Sequence, residues 1–201
     1  MIEQFISAVA ERSKSALPAE PGDYEKDGLL WCGKCNTPKQ TRIEFDGRVI
    51  MPMCLCKCKA EALKAEEEER KRKEFAERVA AMRRTAFSER MMADWTFAND
   101  DMTDQKITGI MKRYAEHFDE MRKTGEGLLL YGSVGTGKTY AACEVANALI
   151  DRGIPCLVTN FARIANTLQG IQHKQDYIDD LNSYSLLVID VKIVINVAYF
   201  K

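Results

Sequence analysis

Histidine is nearly missing from this 201-residue chain: only His117 and His173 occur, and neither stands at a metal-binding or catalytic spacing. That excludes H-E-x-x-H zinc chemistry and leaves no histidine-assisted nucleophile to argue for. Aromatic residues are also few, at 8%, and Trp31 and Trp95 stand outside any cluster of aromatic and basic side chains. The chain therefore lacks the stacking platforms on which single-strand binding by aromatics depends. Neither charge sign dominates, since Lys and Arg total 29 against 30 for Asp and Glu, a net charge of -1. A general affinity for polyanions does not follow from that balance, although local patches remain. No apolar run approaches the length of a membrane span, and the N-terminus lacks the basic and apolar blocks of a secretion signal. A cytoplasmic location and no membrane partner are expected. Seven cysteines in such a compartment point to metal or free thiols rather than disulfides.

One motif dominates what is there. Gly132-Ser133-Val134-Gly135-Thr136-Gly137-Lys138-Thr139 fits G-x-x-x-x-G-K-[ST], the phosphate-binding P-loop. The apolar stretch Gly127 to Tyr131 before it has the length of a buried strand. Ala141, Val145, Ala148 and Leu149 recur after it at helical spacing, over Tyr140 to Arg152. A glycine-rich strand-to-helix turn can wrap backbone N–H groups around phosphates, and the helix that follows presents its positive end to them. Lys138 is expected to reach the β- and γ-phosphates, and the Thr139 hydroxyl to ligate Mg²⁺. The ligand is expected to be a nucleoside triphosphate.

Downstream, Cys156 to Thr159 predicts a second strand, Phe161 to Gln169 a helix, and Leu186 to Asp190 a third strand. The alternation predicts a parallel α/β sheet. Leu186-Leu187-Val188-Ile189-Asp190 is an apolar strand ending in an acid, the form of a Walker B element. Asp190 would then join Thr139 at Mg²⁺ from the C-terminal edge of the sheet. Three strands from Gly127 onward are few for a parallel sheet that must bury both faces, so poor solubility and self-association are expected.

Upstream, Ile2, Phe5, Ile6, Val9 and Ala10 fit a short amphipathic helix over residues 1 to about 17, broken by Pro18, Pro21 and Gly22. Ile43 to Phe45 and Arg48 to Met51, joined by Asp46-Gly47, predict a hairpin. Lys59 to about Arg84 is rich in Ala, Glu, Lys and Arg, with opposite charges at i,i+4, and predicts a charged helix. Such a run reads either as a solvated face or as a partner-binding linker. Phe87 to Asp101 reads as irregular, and Thr103 to Lys123 as one amphipathic helix.

Cysteines bracket the predicted hairpin, as Cys32-x-x-Cys35 and Cys54-x-Cys56-x-Cys58. Four thiolates in tetrahedral array make a structural Zn²⁺ site. The first pair supplies one knuckle, and two of the last three supply the other. Cys56 and Cys58 are favoured because they abut the charged helix, with Cys54 the alternate; free thiols in a small apolar module are the competing reading. Cys143 and Cys156 read as small buried apolar residues.

Taken together, the run from Gly127 to Thr139, Thr159-Asn160-Phe161 and Leu186 to Asp190 resemble the AAA+ ATPases of the DnaC-like helicase-loader group and the related IstB-type transposition ATPases. The stretch from Phe87-Ser88-Glu89-Arg90 to Trp95-Thr96-Phe97-Ala98-Asn99-Asp100-Asp101 is similar to the one that precedes the P-loop in loader-like proteins of phages and mobile elements, where it lies beside the nucleotide base. The resemblance covers most of residues 29 to 190. It implies an ATP-driven switch for DNA replication that delivers a replicative helicase to DNA, with single-stranded DNA as a second partner and the cysteine module holding zinc. Two alternatives stand beside it: an accessory ATPase of transposition, and a non-enzymatic zinc- or DNA-binding interaction module.

The chain departs from the family at Val191, where the resemblance implies a second acid that polarises the attacking water. The remaining residues, Lys192 to Lys201, do not resemble the family's sensor, arginine finger or lid, so a C-terminally truncated chain is expected. Phosphoryl transfer depends on positioned charge and an oriented water, so no catalytic residue is assigned, and ATP binding with poor hydrolysis is expected. The expected fold class is α/β: an incomplete AAA+ P-loop core with a parallel sheet, preceded by a zinc-ribbon-like module and a charged linker helix. The expected segments are 1–28 (N-terminal helix and linker), 29–58 (cysteine module), 59–84 (charged helix) and 85–201 (partial ATP-binding domain).

Overall fold

The computed structural model describes residues 20–45, 47–100, 104–191 and 195–199. The amphipathic helix expected over residues 1 to about 17 lies outside them. The chain divides into two compact units, Met1–Arg72 and Lys73–Lys201.

In the first unit, β1 (Tyr24–Lys26) pairs antiparallel with β2 (Leu29–Trp31), and β3 (Ile43–Phe45) with β4 (Arg48–Ile50). The first hairpin is not expected from the sequence and straddles the boundary between the linker expected to residue 28 and the cysteine module that follows. Its signal was Asp27-Gly28, whose φ values of 54° and 70° suit the two-residue turn that matches strand twist. The second hairpin closes over Phe45↔Arg48, and Asp46 of its expected turn lies outside the described residues. Single bridges, Trp31↔Pro38 and Gln40↔Met53, tie the two hairpins together. Lys39 stands between them. Its N–H donates to Leu30 O at 2.7 Å, and its carbonyl accepts from Cys54 N at 2.7 Å. Its ammonium, largely buried, meets Asp23 Oδ2 at 2.5 Å and Glu20 Oε2 at 3.3 Å.

The helix α1 (Lys57–Ala86) runs for 30 residues, about 45 Å at the rise of an α-helix. Its first two-thirds are exposed, with Lys71–Glu67 at 2.6 Å and Lys64–Glu68 at 3.9 Å as i,i+4 pairs. Pairs of this kind contribute only tenths of a kcal/mol each, but they let a helix with no apolar face persist in water. Its last turns differ: Val79 and Met82 pack against the core of the second unit and Ala86 is wholly buried.

In the second unit a short 3-10 helix (Arg90–Asp94) occupies the stretch read as irregular, and Phe87 bridges to Val158. The single helix expected over Thr103 to Lys123 is two, α2 (Gln105–Glu116) and α3 (Phe118–Thr124), hinged at His117. The break lets Phe118 join Met111, Tyr114 and Ala115 in the core, and Phe118 becomes fully buried. Next come β5 (Leu129–Tyr131), α4 (Lys138–Asp151), β6 (Cys156–Asn160), α5 (Phe161–Gly170), α6 (Lys174–Ser183), β7 (Leu186–Asp190) and β8 (Ile195–Tyr199). Helix α6, mostly polar, was not anticipated.

The sheet corrects the expectation of an all-parallel core. Its order is β5-β8-β7-β6; β6 and β7 are parallel, whereas β8 runs antiparallel to both β5 and β7. β7 ends at Asp190 and β8 begins at Ile195, too short a gap for the crossover that a parallel return requires. Ile195 and Val197 of the β-favouring tail lie in β8, whereas Ile193 and Val194 fall outside the described residues. The described sheet thus has four strands, not three. Helix α4 is its central prop: Cys143, Val145, Ala146, Leu149 and Ile150 are buried against Val158, Leu186 and Val188.

Candidate nucleotide site and cysteine cluster

β5 ends at Tyr131, and residues 132 to 137 turn the chain into α4, whose N-cap is Gly137. Gly135 and Gly137 have φ of 85° and 75°, the left-handed region that side-chain-bearing residues avoid. The turn can therefore fold back on itself without a Cβ in its way. Ser133 O accepts from Thr136 Oγ1 at 3.0 Å and from Lys138 Nζ at 2.6 Å, so the lysine closes the loop across its own chain. Ser133, Val134 and Thr136 are exposed, leaving the loop open to an incoming phosphate chain. The first N–H groups of α4 have no partner within the helix and point the same way.

Parallel pairing of β6 with β7 sets Asn160 opposite Asp190 at the sheet's C-terminal edge. There Thr139 Oγ1 donates to Asp190 Oδ2 at 3.1 Å across 51 residues of sequence. The hydroxyl and the carboxylate named for Mg²⁺ thus share one spot at the mouth of the P-loop. One hydroxyl and one carboxylate oxygen suit a hard cation that keeps several waters and takes its other ligands from phosphates. Val191, next in the chain, contributes no polar side-chain atom.

Two residues missed in the sequence shape this site. Asn147, fully buried on α4, donates from Nδ2 to Met92 O at 3.0 Å, Trp95 O at 2.9 Å and Cys143 O at 3.1 Å. It thereby fixes the segment upstream of α2 against the P-loop helix, where Trp95 stacks on Tyr140 at 5.4 Å. Glu144, one turn before it, is 2% exposed and faces a cavity of about 600 Å³ that begins at Gly135 and Gly137. Burial, reinforced by Asp100, pushes its carboxyl up to about 7. A carboxylate inside an apolar helix face was the available signal. Cys143 and Cys156 are buried, and burial pushes both thiols up to about 12.

In the first unit, Cys32, Cys35, Cys56 and Cys58 converge, with all four Sγ atoms within 4.8 Å of one another. Cys32 Sγ lies 3.7 Å from Cys58 Sγ, and Cys56 Sγ 3.5 Å from Cys58 Sγ. Zinc–thiolate bonds of ~2.3 Å in a tetrahedron put sulfurs ~3.8 Å apart, so the donor set fits zinc. Backbone N–H groups of Cys35 and Lys34 hold the Cys32 thiol below its ordinary range, and the Thr37 hydroxyl, 3.0 Å from Cys35 Sγ, leads in lowering that thiol to about 6. Cys58, surrounded by Cys56, Cys35 and Cys32, is pushed up to about 12. Cys54 stands apart, with its Sγ donating to Pro38 O at 3.5 Å.

Among the described residues no helix is long and apolar enough to cross a membrane. Over 92 residues the chain is 30% identical to "Replicative helicase loader DnaC" of Buchnera aphidicola subsp. Acyrthosiphon pisum (strain APS), a match covering 43% of this chain and 36% of that protein. The aligned part is thus about a third of that relative's length. No solved structure matches. Residues 57–201, which hold the P-loop, Asp190 and the helix that packs between them, match the family described as "IstB-like ATP binding protein". The chain therefore belongs to the IstB-like ATP-binding family, the group of P-loop AAA+ proteins that it shares with DnaC-like loaders.

Proposed function

We propose that this protein is an ATP-binding switch of the helicase-loader type, which uses nucleotide occupancy to control delivery of a replicative helicase to DNA. The observation that carries the nucleotide half of this reading is Thr139 Oγ1 within hydrogen-bonding distance of Asp190 Oδ2 at the mouth of the P-loop. Residues Gly132 to Thr139 would hold the phosphates of ATP, and Thr139 and Asp190 would hold Mg²⁺. The metal's chemistry, when bound, is to neutralise charge on the β- and γ-phosphates. Hydrolysis is slow in this reading, because Val191 stands where a second carboxylate would orient water.

Cys32, Cys35, Cys56 and Cys58 would hold a structural zinc, making residues 29–58 a zinc-ribbon-like module, with 59–84 as a charged connecting helix and 85–201 as the ATP-binding segment. Resemblance to a helicase loader supports the partner. A second reading, in which the zinc module binds a partner without nucleotide control, is favoured by Val191 alone.

Co-purification of the full chain with a replicative helicase, with and without ATP, tests the choice. ATP-dependent capture by the wild-type chain, lost in Lys138→Ala, is expected. Capture that ignores both ATP and the substitution would overturn the switch and leave the zinc module as the working part.

A further inference from the structure

Glu144 lies where α4 meets Ile107 and Thr108 of α2 and the segment Asn99–Asp100. Its side chain is 2% exposed, and Oε1 is sealed from water with no hydrogen-bond partner among the described residues. A carboxylate so placed would carry charge with neither a donor nor solvent on that oxygen, whereas a protonated acid avoids most of that cost. Phosphate binding uses neither this side chain nor its charge.

The groups around it make the charged form worse. Asp100, whose Oδ2 accepts from Thr108 Oγ1 at 2.6 Å, places a second carboxylate in the same junction. Asp104 lines the junction as well, but its Oδ1 accepts the Lys106 and Ile107 amides at 3.1 Å and is engaged in capping α2. Lys112 of α2 is the one cation that acts on Glu144 among the described residues. Its ammonium lies 5.7 Å from the Phe97 ring and makes no ion pair among those residues. The 3-10 helix, β6 and β7 also pack on α4, and none brings a described charged group to act on Glu144. Burial leads in pushing the carboxyl up to about 7, Asp100 adds to it, and Lys112 opposes both.

We propose that Glu144 is a proton-operated latch: its neutral form lets α2 and the segment ending at Asp100 close on the P-loop helix, and its ionisation releases them. This goes beyond nucleotide binding and does not depend on it. Opening the junction hydrates the carboxyl, which then ionises in the ordinary glutamate range, so closure takes up a proton between that range and about 7. Closure is strongest below the ordinary range, weakens as pH rises towards about 7, and changes no further above it. One proton limits the change to about tenfold per pH unit. The wall that moves stands beside Gly135 and Gly137, which links proton uptake to the surroundings of the P-loop.

Hydrogen exchange on the full chain and its E144Q variant, read as protection factors at about pH 5.5 and about pH 7.5, tests the latch. Protection of the Met111 and Ala115 amides, on the buried side of α2, should fall by about tenfold or more across that range in the wild-type chain. E144Q should keep it high and flat. In both chains these amides should stay less protected than those of Val158 and Val188 in the sheet, because the junction opens without the rest of the unit. A slope kept in E144Q would pass to His117, the histidine between α2 and α3, and overturn the proposal. Equal protection in α2 and the sheet would overturn it too, since α2 would then open only when the whole unit unfolds. Carbon NMR of the glutamate carboxyls reads the group directly. One wild-type resonance, missing from E144Q, should titrate near about pH 7, and a wild-type chain without it would overturn the latch.

Discussion

Thr139 and Asp190 meet at 3.1 Å although 51 residues separate them. Two independent pieces of folding bring them together. The P-loop glycines let the chain turn directly into α4, which sets Thr139 in its first turn. The parallel pairing of β6 and β7 fixes how far along the sheet Asp190 reaches. Burial of α4 on Val158, Leu186 and Val188 then locks helix to strand, so the distance between hydroxyl and carboxylate is a property of the core rather than of a mobile loop.

Val191 is the simplest place to change the chemistry. Val191→Glu should raise ATP turnover by about tenfold or more, a modest part of the ~10²–10⁴ that a positioned acid–base group supplies. Single-turnover kinetics at saturating ATP and Mg²⁺ measures it. Unchanged turnover, or a wild-type chain already turning over at an ordinary ATPase rate, would remove Val191 as the reason for slow hydrolysis.

The cysteine cluster makes a stoichiometric claim. The purified chain should hold one zinc per molecule by elemental analysis. Cys32→Ser and Cys58→Ser should each lose it, whereas Cys54→Ser should retain it, because Cys54 points at Pro38 O instead of the cluster. Zinc retained in Cys58→Ser and lost in Cys54→Ser would reverse the assignment.

Much of this architecture was legible because its signals are local. The P-loop carries its own turn chemistry, β7 announces itself as an apolar run ending in Asp190, and Cys32 and Cys35 form a knuckle within four positions. What escaped depends on contacts distant in sequence. The direction of β8 follows from its nearness to β7, which the β-favouring tail does not reveal. The hinge at His117 follows from the core's demand for Phe118, and the role of Asn147 from two carbonyls some fifty positions upstream. The β1–β2 hairpin was a different kind of miss: Asp27-Gly28 carries the same turn signal as Asp46-Gly47, but the strands it joins are only three residues each.

Asn147 should be worth more to stability than a typical buried amide. Asn147→Ala leaves the carbonyls of Met92 and Trp95 without this donor in a buried setting, and should destabilise the second unit by about 1–3 kcal/mol. Denaturant unfolding measures the loss, and a change below about 0.5 kcal/mol would show that the segment holds itself in place.

The Lys39–Asp23 pair sets a pH dependence for the first unit. Lys39, with Glu20 assisting, holds Asp23 below the usual carboxylate range, and Asp23 holds the Lys39 ammonium above its own. Stability from Asp23 is present above the ordinary carboxylate pKa and lost as pH falls through the lowered value. Stability from Lys39 is full below the ordinary lysine pKa and lost only as pH rises through the raised one. The protection factors of the Lys39 and Cys54 amides, which donate to Leu30 O and Lys39 O, should therefore be high and flat across neutral pH, and fall in acid. Asp23→Asn should lower them at neutral pH and flatten the acid response; unchanged protection in that variant would contradict the pair's structural role.

The central claim, that Gly132 to Thr139 and Asp190 hold Mg²⁺–ATP, is tested most directly by ATP affinity with and without Mg²⁺ on the wild-type chain and on Thr139→Ala and Asp190→Asn. Mg²⁺ should tighten ATP binding to the wild-type chain, and each substitution should remove about tenfold of that gain, the scale of one charge-assisted contact, while leaving metal-free binding nearly unchanged. Variants that bind Mg²⁺–ATP as the wild-type chain does would contradict the account.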